Sequence, residues 1–352
     1  MTPPRFLFMH LYGSCNLRCG HCTFWQRPQT LNQHAGWPHG QYLGRRRGIT
    51  LEFARMNPRG VVVTHGGETM LDWDDYFDFC KLTRSLGLKL LSVCNGTMIF
   101  SPERAKKVIL EGPSEVSVSL DGAMAAVHDV FRGARGSFDR AARALRLLLA
   151  ARRECAAYTR GADSKVHAIL LVGKSTYREL DAAYDLALRQ IGVDKLKLNL
   201  IQPSFGLREG EDEFFARESQ VDPDELEEVL RKVNAKYDLC FSPVWVAQAL
   251  MYFRSLWKNP NVSKGWSGDL ATTEHVCNSY DRNIWISDRG VMQLCCDAKW
   301  VGRQWERDGD LGSFWNGAEN QRSAMATCNS LCGISHSLRN TSTTLLATKH
   351  GV

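Results

Sequence analysis

No run in this chain approaches the roughly 20 consecutive apolar residues that a membrane-spanning helix needs, so a span through a bilayer is not expected. The N-terminus, Met1 to Arg5, lacks a basic region followed by an apolar stretch and a small-residue cleavage site, so no secretion signal is read there either. Both absences point to a cytoplasmic protein. A nucleic-acid motif is missing too. The net charge of +6 comes from scattered Lys and Arg, which argues against a DNA or RNA partner. What the chain does not lack is cysteine. Its twelve cysteines fall in short-spaced groups, which in a cytosolic protein reads as metal binding and not as disulfides. At 352 residues there is room for one large α/β domain and a small appendage.

The first group is the densest. Cys15-Asn-Leu-Arg-Cys19-Gly-His-Cys22 carries three thiols in eight residues, just after the apolar run Phe6 to Leu11. Three thiolates on one loop can hold three corners of an iron–sulfur cluster and leave the fourth iron open to a small chelating molecule. A structural zinc wants four ligands, one more than this loop offers.

A strand–helix alternation follows. Phe6 to Leu11 reads as a first strand, and Gln26 to Gly48 as a long loop or lid whose Arg45-Arg46-Arg47 reads as a solvated face, with contact to a charged substrate as the alternative. Ile49 to Met56 can open a helix. The β-branched run Gly60 to Thr64 reads as a buried parallel strand. Leu88 to Val93, Glu115 to Leu120, Val166 to Leu171 and Leu196 to Ile201 read as four more strands. Helices are expected at Asp72 to Leu86, Pro102 to Glu111, Arg140 to Arg153 and Thr176 to Gln190. Six such alternations predict a partial (β/α)6 TIM-like barrel, in which active sites sit at the C-terminal ends of the strands. Residues 205–265 read as a helical linker with Pro223 at a helix start. Cys80, Cys94, Cys155 and Cys240 are expected to be core thiols.

Short motifs stand at those strand ends. They are His65-Gly66-Gly67-Glu68, Asn95-Gly96-Thr97, Ser119-Leu120-Asp121-Gly122, and His128-Asp129 with Phe131-Arg132-Gly133. Together with the cysteine loop they resemble the radical S-adenosylmethionine (radical SAM) superfamily. The run from Ser119 to Asp139 resembles those members that carry a C-terminal SPASM or twitch domain. The resemblance implies that Cys15, Cys19 and Cys22 hold a [4Fe–4S] cluster. It implies that Gly66, Gly67 and Glu68 accept from the SAM ammonium, that Ser119 meets the ribose, and that Arg132 pairs with the carboxylate through its fork of donors. Asn95 is included among the SAM-binding residues. An electron donor such as flavodoxin or ferredoxin is expected.

A second cysteine group fills the C-terminal part, with Cys277, Cys295, Cys296, Cys328 and Cys332. Ile284 to Gln293 alternates and turns at Asp288-Arg289-Gly290, the pattern of a β-hairpin. A helix is expected between Trp315 and Cys328. This resembles the twitch domain, which implies an auxiliary [4Fe–4S] cluster on Cys277, Cys295, Cys328 and Cys332, with Cys296 spare. A zinc ribbon could use the same four thiols. The implied division is 1–204 barrel, 205–265 linker, 266–340 twitch domain and 341–352 tail. Because the auxiliary cluster would accept an electron, the leading expectation is oxidation of a secondary alcohol on an aminosugar or aminocyclitol to a ketone. An epimerase using Cys296 as hydrogen donor is one alternative. A maturase of a ribosomal peptide is the other; the few residues ahead of Cys15 favour a small molecule over a peptide. His65, His167, Asn199 and Gln202 are expected near strand C-terminal ends, where facing the substrate and serving as a satisfied scaffold residue are equal alternatives for each.

Overall fold

The computed structural model describes residues 2–22, 24–26, 39–157, 164–202, 212–257, 279–295 and 302–326. Cys277, Cys296, Cys328 and Cys332, and the expected tail 341–352, lie outside these residues.

Among the described residues, nine strands form one open sheet. In chain order they are β1 Phe6–His10, β2 Val61–His65, β3 Lys89–Cys94, β4 Glu115–Ser119, β5 Lys165–Val172, β6 Lys195–Leu200, β7 Asn283–Ile286, β8 Val291–Gln293 and β9 Arg303–Gln304. The spatial order is β6-β5-β4-β3-β2-β1-β7-β8-β9. The first six are parallel and sequential, joined by helices that include α1 His39–Met56, α2 Trp73–Ser85, α3 Pro102–Glu111, α4 Ala125–Arg132 and α5 Ser137–Glu154. This is the expected α/β architecture, a partial TIM-like barrel with an unclosed sheet.

Burial alternates along the strands because successive side chains point to opposite faces. On β3, Leu90, Ser92 and Cys94 are buried while Leu91 and Val93 are half-buried. Leu7, Met9, Val62, Leu90, Val116 and Val118 join the helices in one core. The other face lines the inside of the barrel wall. Helix starts follow local chemistry. Asp72 caps α2 by accepting from Asp75 N at 3.1 Å, and Ser101 caps α3 from Arg104 N at 3.3 Å with Pro102 behind it.

Several expectations need correction. Helix α1 begins at His39, inside the stretch read as a loop. Arg46 is not on a solvated face. It is buried, forks onto the Asp75 carboxylate and lies 5.0 Å from the Phe79 ring centre. The stretch after β5 is not one helix but a 3-10 turn, a short α-helix and a π-turn ending at Ile191. Helix α4 forms where the sequence marks only a motif. Cys80, Cys94 and Cys155 are buried thiols, whereas Cys240 is exposed. The C-terminal hairpin forms as expected, but its first strand, β7, pairs in parallel with β1, so the hairpin extends the barrel sheet. Helices Asp310–Gly317 and Glu319–Ala326 stand where one was expected.

Candidate active site

Strand β1 delivers the cysteine loop at its C-terminal end. Cys15 and Cys19 are buried with Leu17, and Cys22, Trp25 and Ala134 pack against them. Each thiol faces an N–H donor. Leu17 N reaches Cys15 Sγ at 3.5 Å, Phe24 N reaches Cys22 Sγ at 3.5 Å, and Arg132 Nη1 lies 3.9 Å from Cys19 Sγ. Asn95 Nδ2 stands 3.9 Å from Cys15 Sγ as well. Burial, and then the nearby Glu68 charge, push the Cys15 thiol up to about 12. Burial pushes Cys19 to about 11 against the pull of Arg132.

The Gly66-Gly67 turn at the end of β2 lies against this loop. Gly67 has φ +56°, and a Cβ there would sit 2.5 Å from Tyr12 O and 2.4 Å from Ser14 O. Only glycine lets the two backbones meet this closely. Glu68 N donates to Ser14 O at 2.9 Å. Its carboxylate turns inward and accepts from Asn95 N at 2.8 Å and Met70 N at 3.2 Å, tying the ends of β2 and β3 together. Burial raises its pKa to about 7 despite those donors. Asn95 also accepts from Thr97 N at 2.9 Å and donates to Asn16 Oδ1 at 2.8 Å. Ser119 ends β4 and is buried.

Helix α4 brings in Arg132. Gly20 N donates to Phe131 O at 3.0 Å, and Gly133, with φ +59°, sits so tightly that a Cβ would lie 2.0 Å from Arg18 O. Asp129 accepts from Gly136 N, Phe138 N and Ser137 Oγ at 2.6–2.9 Å and so fixes the turn into α5. Arg132 Nη2 pairs with Asp121 Oδ2 at 2.6 Å. Asp121 also accepts from Leu171 N at 2.8 Å, and its own N–H donates to His128 Nδ1 at 2.9 Å. Burial would raise the Asp121 carboxyl, but Arg132, His128 and His21 outweigh it and hold it below its usual range. Burial would lower the Arg132 guanidinium, but Asp121 and Cys19 raise it. Asp121 and His128 stand within the sequence motifs, but the sequence assigns them no role, since nothing in it reports the distance from one strand end to a later helix.

The candidate residues Cys15, Cys19, Cys22, Gly66, Gly67, Glu68, Asn95, Ser119 and Arg132 thus stand at the C-terminal ends of β1 to β4 or in the α4 segment that packs onto them. Of the second group, only Cys295 is among the described residues. Ser279 Oγ donates to Leu294 O at 3.0 Å, and β8 runs back antiparallel to β7. Cys295 therefore lies toward the strand-start end of the sheet, away from the cysteine loop. His65 ends β2, its ring 4.4 Å from His10 and 5.1 Å from Trp285, centre to centre. Asn199 and Gln202 stand at the end of β6. His167 does not. It is in the first half of β5, 3.4 Å from Glu115, so the expectation that it stands at a strand C-terminal end is corrected.

The donor set suits an iron–sulfur cluster and SAM. Among the described residues no three of His, Cys, Asp and Glu converge on a point that would hold a single ion. The loop instead offers three thiols and no carboxylate, the soft donors that iron–sulfur clusters use. Bound iron would supply the positive charge that buried thiolates need. Arg132 Nε is buried and meets no acceptor among the described residues. A buried donor without a partner is costly, and an anionic group such as a carboxylate would satisfy it.

Residues 9–187, half of the chain, match the model of the Radical SAM superfamily. The chain belongs to that superfamily, and the family implies SAM and a [4Fe–4S] cluster. Among its relatives, the AdoMet-dependent heme synthase of Methanosarcina barkeri is 27% identical over 184 residues, covering 52% of this chain and 47% of its own. The mycofactocin maturase MftC of Mycobacterium tuberculosis is 34% identical over 153 residues, covering 43% of this chain and 36% of its own. The chain thus spans about half or less of the length of these relatives. The crystal structure of Streptococcus suis SuiB bound to precursor peptide SuiA overlays with a TM-score of 0.62 at 13% identity, covering 90% of this chain and 65% of that one. Among the described residues no helix is long and apolar enough to cross a membrane.

Proposed function

We propose that this chain is a peptide-modifying radical SAM enzyme, a maturase of ribosomally made peptides. The observation that carries this is the 34% identity to the mycofactocin maturase over 153 residues; the match to the heme synthase is longer, 184 residues, at 27%. The fold shared with peptide-bound SuiB over 90% of this chain is compatible with it. The shortness of the segment before Cys15 decides nothing about the substrate. Cys15, Cys19 and Cys22 would hold the cluster. The backbone of Gly66 and Gly67, with Glu68 bracing their turn, would meet the SAM ammonium; Asn95 and Ser119 would line the site, and Arg132 Nε would meet the carboxylate. SAM bound at a reduced cluster would supply the radical chemistry that removes a carbon-bound hydrogen. The chain's own work is to orient the substrate and keep water out.

The aminocyclitol or aminosugar dehydrogenase is the second reading, favoured by the C-terminal cysteines. An auxiliary [4Fe–4S] cluster on Cys277, Cys295, Cys328 and Cys332 would take the second electron, with flavodoxin or ferredoxin feeding the first cluster. The Ser279–Leu294 contact supports it by setting Ser279 against the residue before Cys295. With the twitch reading goes the division at 204, 265 and 340. In an epimerase Cys296 would return a hydrogen atom.

The test uses anaerobically reconstituted protein with reductant and SAM. The probes are synthetic SuiA, the peptide substrate of the mycofactocin maturase, and an aminocyclitol. A peptide of altered mass with one 5′-deoxyadenosine per turnover supports the maturase. An aminocyclitol two mass units lighter, with the peptides untouched, overturns it for the dehydrogenase. Unchanged mass with one deuterium from heavy water points to the epimerase.

A further inference from the structure

We propose that Arg132 sets the reduction potential of the cluster on Cys15, Cys19 and Cys22, and that Asp121 limits how much of its charge reaches the sulfur. This rests on the cluster ligation read above. Backbone amides face Cys15 and Cys22 two residues on, at Leu17 and Phe24. Cys19 is faced instead by a full positive charge, Arg132 Nη1 at 3.9 Å from its sulfur. Both Arg132 and Asp121 are buried, so little water screens them. The guanidinium is held in place. Asp121 grips Nη2 at 2.6 Å and is itself fixed by Leu171 N, while Gly20 and Gly133 lock the end of α4 onto the cysteine loop. A cation beside a ligand sulfur stabilises the reduced, more negative cluster over the oxidised one and raises its potential. The neighbouring carboxylate opposes that effect. Nε stays available for an anionic ligand, so holding SAM and tuning the cluster use different atoms of one side chain.

The test is an EPR-monitored redox titration of the reconstituted protein without SAM, comparing wild type, Arg132→Gln, Arg132→Lys and Asp121→Asn at matched iron content. Arg132→Gln is expected to shift the midpoint to more negative potential, and Asp121→Asn to more positive potential. Arg132→Lys falls between wild type and Arg132→Gln. Opposite shifts from two buried partners are not what a merely structural role gives, since loosening the site would move both variants the same way. Midpoints equal to wild type, or shifts of one sign, overturn the proposal. If Arg132→Gln takes up no iron, Asp121→Asn decides alone. SAM affinity measured alongside separates the two jobs: lost affinity at an unchanged midpoint assigns Arg132 to SAM only and also overturns it. No substrate enters this measurement, so failure of the maturase reading leaves its outcome readable.

Discussion

Gly133 and Gly87 both have left-handed backbone, φ +59° and +71°, yet their surroundings differ. Around Gly87 a Cβ meets nothing within 4 Å, while at Gly133 it would meet Arg18 O at 2.0 Å. Gly87→Ala is therefore expected to cost only about 1 kcal/mol, the left-handed penalty. Gly133→Ala adds a backbone clash, for a total on the order of 3 kcal/mol, and pushes the cysteine loop away from Arg132. Urea denaturation of the two variants, with iron content after reconstitution, checks this: Gly87→Ala should load iron like wild type and Gly133→Ala should not. His128 gives a pH-dependent prediction. Burial, reinforced by Arg132, holds its pKa down at about 4 although Asp121 favours the charged form. The unfolded chain binds a proton near pH 6.5 and the folded one does not, so stability is full above 6.5 and falls as the pH drops toward 4, by about 3 kcal/mol at most. His128→Asn keeps an acceptor for Asp121 N–H and cannot be charged. Its stability relative to wild type should improve from pH 7 to pH 5, and an unchanged difference would contradict the assignment.

Among the elements, β4, β5 and β6 are tied near their starts by Glu115, which pairs with Lys197 and lies 3.4 Å from His167 Nδ1. Lys197 Nζ also donates to Ser117 Oγ at 3.1 Å. Burial would raise the Glu115 carboxyl, but His167 and Lys197 bring it down to about 2. This contribution is complete above pH 4.5 and fades as the pH falls toward 2. Glu115→Gln should cost about 2 kcal/mol at pH 7 and only a small part of that at pH 2, read from denaturation midpoints. His167 shows where the sequence was legible and where it was not. The β-branched and apolar runs located all six barrel strands within a residue or so, because strand periodicity is local. That much was legible for His167 too, since the run Val166 to Leu171 already puts it second in its strand, at the start and not at the C-terminal end. His167 sits third in β5, which begins at Lys165. The cysteine loop and the glycine turns were legible for the same local reason. Arg46 was not, because its partner Asp75 lies on the next helix. Nor was the role of Asp121, whose partners come from α4 and β5.

Across the whole molecule, the C-terminal segments are joined to the barrel at several independent places. β7 continues the sheet from β1, and Trp285 stacks on Phe8 at 4.1 Å with the rings 13° apart. Glu52, buried on α1, accepts from Trp305 Nε1 at 3.0 Å and from Gly312 N at 2.8 Å. Gly48, one turn earlier, leaves room for the Trp305 ring, since a Cβ there would lie 2.3 Å from it. Trp315 Nε1 donates to Thr2 O at 3.0 Å. A hairpin with so many ties to the first strand and first helix should not unfold by itself, whatever cluster it helps to hold. The expected outcome is one unfolding transition, reported alike by far-UV circular dichroism and by tryptophan fluorescence. Glu52→Ala leaves the buried Trp305 Nε1–H and the half-buried Gly312 N–H without their acceptor and should cost about 2–3 kcal/mol. Because α1 packs on the same sheet that β7 extends, that loss should lower the single transition as a whole. Two separated transitions in the wild-type protein, or faster hydrogen exchange confined to 279–326 in Glu52→Ala with the barrel strands unaffected, would show that the hairpin is an appendage with a stability of its own.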